Sequence, residues 1–548
     1  MLPDIDYNLY DPKRYSEQTS STVAPDNYVV IAWHGLLALA LLVCYFQFRH
    51  FIWRFVANEQ QLSVTFVCLL AASLAGFSVK YPALPGYFRR LLRIICAAVL
   101  GFLLLDPVDL TLVDPAHLML AKLTAAGYVI AVLCAIVSLK IPSFILFPSF
   151  YLYISHAVSE RIVTYGSHRL ASVTLFEMAQ YLGFCLLCLL AFRIPLRHIR
   201  KINAPMIISY MFFIAIGLHF SHYFWSGLQK LRIGESAWSW AMLNQTQNMM
   251  LSSLHRGVLP SASFPAVTQW LYDSGSQFIQ PLNIYSLLAQ LLAVIAVFRI
   301  AWIRLMSIVY DSLHVGIYIF SGLFLWPWVA NNIAILIALK DTRSLYTGWP
   351  VKLCFVITIA FGGFNHFGNS SRLAWWDLRD ITTTSVQARI ENGPWVNVPV
   401  SFFNSHAQTA TMNVGYAQLD AHYRPSHWGS DNQYDVQRAN GHCPSPGNNE
   451  PYETFSERQA RITKASGFLL SHHEKLLSRE LRFGSPHPYP SLRYQHSTSS
   501  MPVEINSMQA ITEYRVLVES TCLSMLDGEL KQRVLAEDSF VVPVNSIQ

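Results

Sequence analysis

The chain has 548 residues, of which 53% are hydrophobic and only 13% charged, and its formal net charge is +6. With a mean hydropathy of +0.31, that balance excludes a soluble globular chain of this size and predicts a multi-span membrane protein. Residues 368–548 hold 15 Lys+Arg against 18 Asp+Glu, while the residues before them hold 24 against 15. A basic membrane region therefore precedes a mildly acidic, water-soluble tail. The positive charge lies in short loops beside apolar runs, where the positive-inside rule accounts for it, so no nucleic-acid partner is expected.

Residues 1–26 are polar and show no signal-peptide pattern, so the first apolar run would serve as its own insertion signal. Apolar runs follow at 28–48, 62–79, 91–105, 118–139, 141–154, 170–192, 205–231, 281–298, 305–326, 329–339 and 351–367. Several fall short of the ~20 residues that cross a bilayer squarely, so some are expected to be re-entrant or joined. The expected fold is an all-α polytopic membrane bundle of about 11 spans over 27–367, with a soluble β-rich or α+β extracytoplasmic domain over 368–548. The basic cluster from Arg193 to Lys201 fixes one loop on the cytoplasmic side. Propagation from it puts Lys80–Arg93, Lys140, Arg299–Arg304 and Lys340–Arg343 inside, and the acidic loop 106–117 outside. The N-terminus is then cytoplasmic and the tail outside; Arg49 and Arg54 alone oppose this. The stretch 232–280, with Trp238, Trp240 and Trp270, reads as interfacial rather than spanning.

One run departs from plain lipid-facing helix. Residues 205–231 carry His219, His222, Tyr223, Ser226 and Lys230. At about 100° per residue, Lys230 lies only ~20° round from His219, Tyr223 ~40° from it, His222 about 60° the other way, and Ser226 between Lys230 and His222. These groups form one polar stripe. An ionisable group at membrane depth costs about 2.5–3.5 kcal/mol on insertion scales, so it faces a protein interior or an aqueous cavity and marks function. A lysine near a span end has a second reading, in which it snorkels to the headgroups.

In the tail, SVQARI (385–390) alternates, ENGP turns and WVNVPV (395–400) continues, which predicts a β-hairpin. Residues 403–452 read as irregular loop. Residues 453–482 read as a helix with an apolar face around Phe468, Leu469, Leu470, Leu476 and Leu477, and YRVLVES (514–520) as one more strand. Seven of the nine cysteines lie in or beside apolar runs. The pair Cys185 and Cys188 lacks a second pair and polar flanks, so it points to neither zinc nor redox chemistry. Cys443 and Cys522 are alone in the tail and can pair if it lies outside the cytoplasm. Asn244 and Asn369 sit in glycosylation sequons, both outside on this topology.

The string HYFWSGLQKL (222–231) followed by Trp238 resembles the membrane domain shared by vitamin K-dependent gamma-glutamyl carboxylases and their bacterial relatives, the horizontally transferred transmembrane domain. The stretch SIVYDSLHVGIYIFSGLFLWPWVANNIAIL (307–336) looks like a later span of that family. The resemblance covers roughly 150–400, with its membrane core at about 150–367, and Gln229 stands where the family pattern has a lysine. It implies a membrane enzyme of the carbon–carbon lyase type in which Lys230 is the base that deprotonates reduced vitamin K or another quinol. The oxygenated cofactor then abstracts a glutamate γ-proton, and carbon dioxide adds. His314 would match the family's span histidine, with His219 and His222 as further pocket groups and Tyr223, Trp225, Ser226 and Trp238 lining the cofactor. His156 or His168 would supply a further histidine.

The chemistry of such a site stands apart from the likeness: an apolar pocket strips an ammonium of solvation and makes the amine a usable base. His314 also reads as an interhelical hydrogen-bonding residue. Haem ligation by His219 or His222 with His34, His314 or His366 has no further pattern behind it. A different class of function also fits: a non-catalytic membrane module whose tail, 368–548, binds an exported polypeptide as an assembly, immunity or accessory factor.

Overall fold

In the computed structural model the described residues are 27–56, 58–76, 81, 84–105, 117–162, 177–188, 204–255, 259–340, 342, 345–364, 373–391, 393–398, 443, 455–477 and 511–544. The cluster Arg193–Lys201, His168, His366, Asn369 and nearly all of 403–452 lie outside them.

Among the described residues the membrane part is helical. Its helices are α1 (Asn27–Phe55), α2 (Glu59–Ala75), α3 (Gly86–Leu105), α4 (Leu118–Ser138), α5 (Leu146–Ile162), α6 (177–188) and α7 (Ala204–Lys230). Three shorter helices follow: α8 (Ser239–Leu243), α9 (Asn248–His255) and α10 (Pro265–Gln277). Then come α11 (Ile279–Leu291), continued as 3-10 helix over Leu292–Phe298, α12 (Ile300–Ser321), α13 (Trp326–Ala338) and α14 (Trp349–Gly362). Among the described residues five stretches are long and apolar enough to cross a membrane: Ile31–Phe55, Leu118–Ser138, Met206–Lys230, Ile279–Phe298 and Ile300–Ser321. Glu59–Ala75, Trp326–Ala338 and Trp349–Gly362 are apolar but shorter. The protein is an integral membrane protein.

The polar helix α7 is the hub of the bundle. Its apolar window is 94% buried, whereas the other four membrane-length windows are 28–44% buried. A helix that carries ionisable groups at membrane depth turns them into a protein interior, and α1, α11 and α14 pack around it. Close approach to α14 depends on Gly217: a Cβ there would meet Thr358 at 3.1 Å and the Phe355 carbonyl at 3.3 Å. Tyr210 Oη, on the same helix, donates to the Ile31 carbonyl of α1 at 3.0 Å.

Among the described residues the tail forms a four-stranded antiparallel sheet of order β2-β1-β3-β4, built from β1 (Asp380–Ile390), β2 (Trp395–Val398), β3 (Ile511–Leu526) and β4 (Glu529–Pro543). The expected hairpin is β1–β2, with Val386 opposite Val398 and Arg389 opposite Trp395. The expected strand 514–520 is the middle of the longer β3, and β4 is a strand that the sequence reading passed over. The helix expected over 453–482 is α15 (Phe455–Leu477). It buries Ala465, Phe468 and Leu469 against Val386, Ala388, Tyr514, Val516, Val518 and Val542 of the sheet, while Leu477 stays exposed. Arg458 ties α15 to β4 with two hydrogen bonds to Asp538 at 2.8 Å.

The sheet is docked to the helical part by its β3–β4 turn. Asp527 and Gly528 both have positive φ (54° and 76°), which is what a two-residue Asp-Gly hairpin needs. A Cβ at Gly528 would meet the Pro265 carbonyl oxygen at 2.6 Å, and Gly528 N–H donates to Gln269 Oε1 at 2.8 Å. Leu523, Ile381 and Leu251 close the contact as a small apolar cluster. Cys443 and Cys522 are joined by a disulfide.

Candidate functional site

Two polar clusters lie along α7, at different levels. The deeper one gathers groups from α7, α12, α13, α6 and α1. His219 Nε2 bonds Asn332 Oδ1 at 3.0 Å, and Asn332 Nδ2 donates to Tyr223 Oη (3.1 Å) and to Asp311 Oδ1 (2.8 Å). Tyr223 Oη bonds His314 Nε2 at 2.9 Å, and its ring stacks on Tyr310 with centroids 3.6 Å apart. The two sequence stretches that carry the family likeness therefore meet face to face. Trp328 stands at the centre, with ring centroids 5.0–5.8 Å from Tyr223, His222, His314 and His219.

The network fixes the proton positions. Asn332 uses its amide hydrogens on Tyr223 and Asp311, so its carbonyl accepts and His219 carries its proton on Nε2. Tyr223 accepts from Asn332 through a lone pair, and with its own O–H turned to His314 Nε2, its one other polar contact here, the His314 proton sits on Nδ1. His219 Nδ1 is then a bare acceptor and His314 Nδ1–H a bare donor, both buried with no hydrogen-bond partner. Buried orphans of this kind call for a water or a ligand. Tyr310 Oη and the Asn331 amide are orphaned in the same way.

Beside this network lies an ion triad absent from the sequence reading. Glu177 Oε1 accepts from Arg49 Nη1 at 2.6 Å and Oε2 from His222 Nε2 at 2.9 Å, all three side chains buried. Arg49 also lies over the Tyr153 ring, 4.7 Å from its centroid. Arg49 is therefore not a loop cation at the headgroups, and it drops out of the charge count that it opposed. A signal was present: Glu177 is a carboxylate within an apolar run, and such a charge needs a partner.

Lys230 occupies the other level, eleven residues and about 16 Å along the helix from His219. It does not snorkel: the side chain is only 8% exposed. Its ammonium donates to Ser286 Oγ at 3.1 Å and Gln290 Oε1 at 2.9 Å and lies over the Trp240 ring, 4.4 Å from the centroid. The stripe expectation had the lysine share a chamber with the imidazoles; its partners instead come from α8 and α11. The turns of helix between the two levels separate them.

Segment 373–378, entering from α14 toward β1, closes the lysine end. Leu373 N–H donates to Ser226 Oγ (3.1 Å), Trp240 Nε1–H to the Trp375 carbonyl (2.9 Å), and Asn248 Nδ2 to the Asp377 carbonyl (3.1 Å). Asn244 clasps Asp377 twice: Nδ2 donates to the carboxylate at 2.7 Å, and Oδ1 accepts the Asp377 N–H at 2.8 Å. With its amide committed and buried, Asn244 offers no nitrogen for a glycan, which corrects the sequon reading. Of the expected lining residues, Tyr223 belongs to the imidazole network and Ser226 holds the closing segment. Trp225 turns the other way and donates to the Ile359 carbonyl at 2.8 Å. Trp238 is 53% exposed, and Trp240, two residues on, is the indole that meets Lys230. The spacing of a short motif does not tell which of two nearby tryptophans a turn will tuck in. His156 is half-buried and lies near Trp53, 6.1 Å between ring centroids, among groups of α1 and α5.

Burial pushes the Asp377 carboxyl up to about 7, against the opposing pull of Asn244, Trp375 and the Lys230 charge. A carboxyl raised on folding binds its proton more tightly folded than unfolded. Its stabilising contribution is full below the unfolded value of about 4 and is lost as pH rises toward the folded value. The thermal midpoint of the detergent-purified protein is therefore expected to fall between about pH 4 and pH 7, and Asp377→Asn to flatten that slope. An unchanged slope in the variant would assign the effect elsewhere.

Compared with protein-family models, curated proteins and solved structures, the chain finds no match.

Proposed function

We propose that this protein is an integral membrane enzyme of the vitamin K-dependent carboxylase type, with Lys230 as its base and a quinol-type cofactor. The observation that supports it is the placement of Lys230: an amine buried at the end of the central helix, held by two neutral acceptors and an indole face rather than by a salt-bridging carboxylate. Neutral partners leave the amine free to release and take up a proton at Nζ, and exclusion of bulk water protects a reactive species formed nearby.

The cofactor fit rests on the orphaned imidazoles. A quinol carries ring hydroxyls that donate and accept, and His219 Nδ1 and His314 Nδ1–H supply one acceptor and one donor. When bound, a quinol supplies the reducing equivalents and, after reaction with oxygen, the strong base of this chemistry. The remaining roles belong to the chain. Tyr223 and Asn332 hold the two imidazoles and Trp328 packs beside their rings, while Lys230, about 16 Å along α7 from His219, acts as base on a substrate group at its own level rather than on the ring held by the imidazoles. In this reading the soluble domain is extracytoplasmic, which its disulfide supports, about eleven helical passes make up the membrane region, and the tail presents an exported polypeptide. The edge strand β4 suits that task, because an extended segment can add to such an edge.

The test is mass spectrometry of the purified protein for a co-extracted quinone. Retention is expected in the native chain and in Lys230→Met, with loss in His219→Leu combined with His314→Leu. Absence of any quinone from the native protein, or full retention in the double histidine variant, would overturn the cofactor assignment.

A further inference from the structure

We propose that Asp311 is the positioning residue that sets the direction of the hydrogen-bond network beside α7, and so decides which imidazole can take a proton and which can only give one. The network has two self-consistent polarities. In the one described above, Asn332 donates to Asp311 and Tyr223, His219 donates to Asn332, and Tyr223 donates to His314. If the Asn332 amide turned over, Nδ2 would donate to His219, Oδ1 would accept from Tyr223, and Tyr223 would accept from His314. Those three contacts survive the reversal, because an imidazole, a phenol and an amide can each give or receive. The bare nitrogens exchange roles with it: His219 Nδ1 becomes the donor and His314 Nδ1 the acceptor.

Asp311 is the member that cannot join the reversal. A carboxylate has no hydrogen to give, so the turned amide would set Asn332 Oδ1 against Asp311 Oδ1 across the 2.8 Å that a hydrogen bond now spans. The placement of the residue points the same way. Asp311 lies near the middle of α12, a membrane-length helix, half-buried, and its one hydrogen bond among the described residues comes from Asn332. A carboxyl group at such a depth is costly, and an amide or a hydroxyl would accept from Asn332 at smaller cost. Either of those groups can also donate, so neither would fix the direction.

The consequence for chemistry rests on the quinol reading of this site. With the direction held by Asp311, His219 Nδ1 is the nitrogen that can receive a proton from a ring hydroxyl, whereas His314 Nδ1–H can only donate to a ring oxygen. His219 Nδ1 takes the proton, the electron pair of the O–H bond stays on the oxygen, and no electron is exchanged. His219 is then the acid–base group of the imidazole level, and Asp311 acts on it through Asn332.

The experiment labels the histidines of the full-length protein with nitrogen-15 and reads their tautomers by solid-state NMR in lipid, with no quinone added, at about pH 8, where a carboxyl group of ordinary acidity is ionised. His219→Gln and His314→Gln assign the signals by subtraction. In the native chain His219 should carry its proton on Nε2 and His314 on Nδ1, with the reverse set rarer by about tenfold or more, the weight of a hydrogen bond to a charged acceptor. Asp311→Asn keeps the shape and adds a donor, so both sets should appear in comparable amounts while the thermal midpoint holds. The reverse set or an even mixture in the native protein would overturn the proposal, and so would an unchanged single set in Asp311→Asn. The native spectrum decides by itself if the variant does not fold. Because no quinone takes part, failure here is distinct from failure of the cofactor assignment, which the mass spectrometry above reads.

Discussion

Glu177→Ala is expected to destabilise the purified protein by about 3–5 kcal/mol, the cost of removing one partner from a buried ion pair. Without the carboxylate, Arg49 and His222 face each other in an apolar interior, and the guanidinium cannot shed its charge. The loss should be visible as a lower midpoint in thermal or denaturant unfolding. The informative companion is Arg49→Met with Glu177→Leu and His222→Phe, which removes all three polar ends at similar volume. If the triad serves only to satisfy itself, most of the stability should return, because well-packed apolar side chains replace buried ion pairs at little cost. If activity is lost while stability returns, the triad has a task beyond packing. A stable Glu177→Ala protein would show that the pair contributes little to the bundle.

Lys230→Met is expected to abolish turnover while the protein stays folded. Methionine keeps the length of the stem against Trp240 and removes an ammonium whose burial is costly, so the unfolding midpoint should hold or rise. Ser286 and Gln290 lose one donor, but both can turn to each other or to water. Removing a general base usually costs about 10²–10⁴-fold in rate. The readout is incorporation of labelled carbon dioxide into polypeptide by membranes supplied with reduced vitamin K. On the proposed function, the tail's binding of an exported polypeptide should survive the substitution. If the phenotype follows deletions in 368–548 and ignores Lys230, the non-catalytic reading takes its place.

The two polar levels of α7 illustrate how far a sequence reaches. Helical periodicity correctly put His219, Tyr223, Ser226 and Lys230 on neighbouring faces, because angular position depends only on the backbone repeat. It carried no information on which partner helix would meet each level. Asn332 and His314 come from more than ninety residues away, as the separations of 113 and 91 from His219 and Tyr223 show. Gln290 and Ser286 reach Lys230 from α11. Side chains that align on one cylinder are sorted into separate sites by whatever packs against them.

The membrane character, the helical runs, the β-hairpin at 385–398 and the helix that ends near Leu477 were legible because each rests on composition or on a local period. The turn at Asp527–Gly528 was equally local, yet β4 escaped because its polar and charged residues mask its alternation. The Cys443–Cys522 pairing was legible by elimination, as the two cysteines outside the apolar runs. Tertiary structure alone decided that α7 is the surrounded helix, that Arg49 is answered by Glu177 rather than by lipid headgroups, and that Trp240 and not Trp238 covers the amine. The physical reason is the same in each case. A charge or an indole is indifferent to its own position in the chain, and its energy is set by neighbours that only folding supplies.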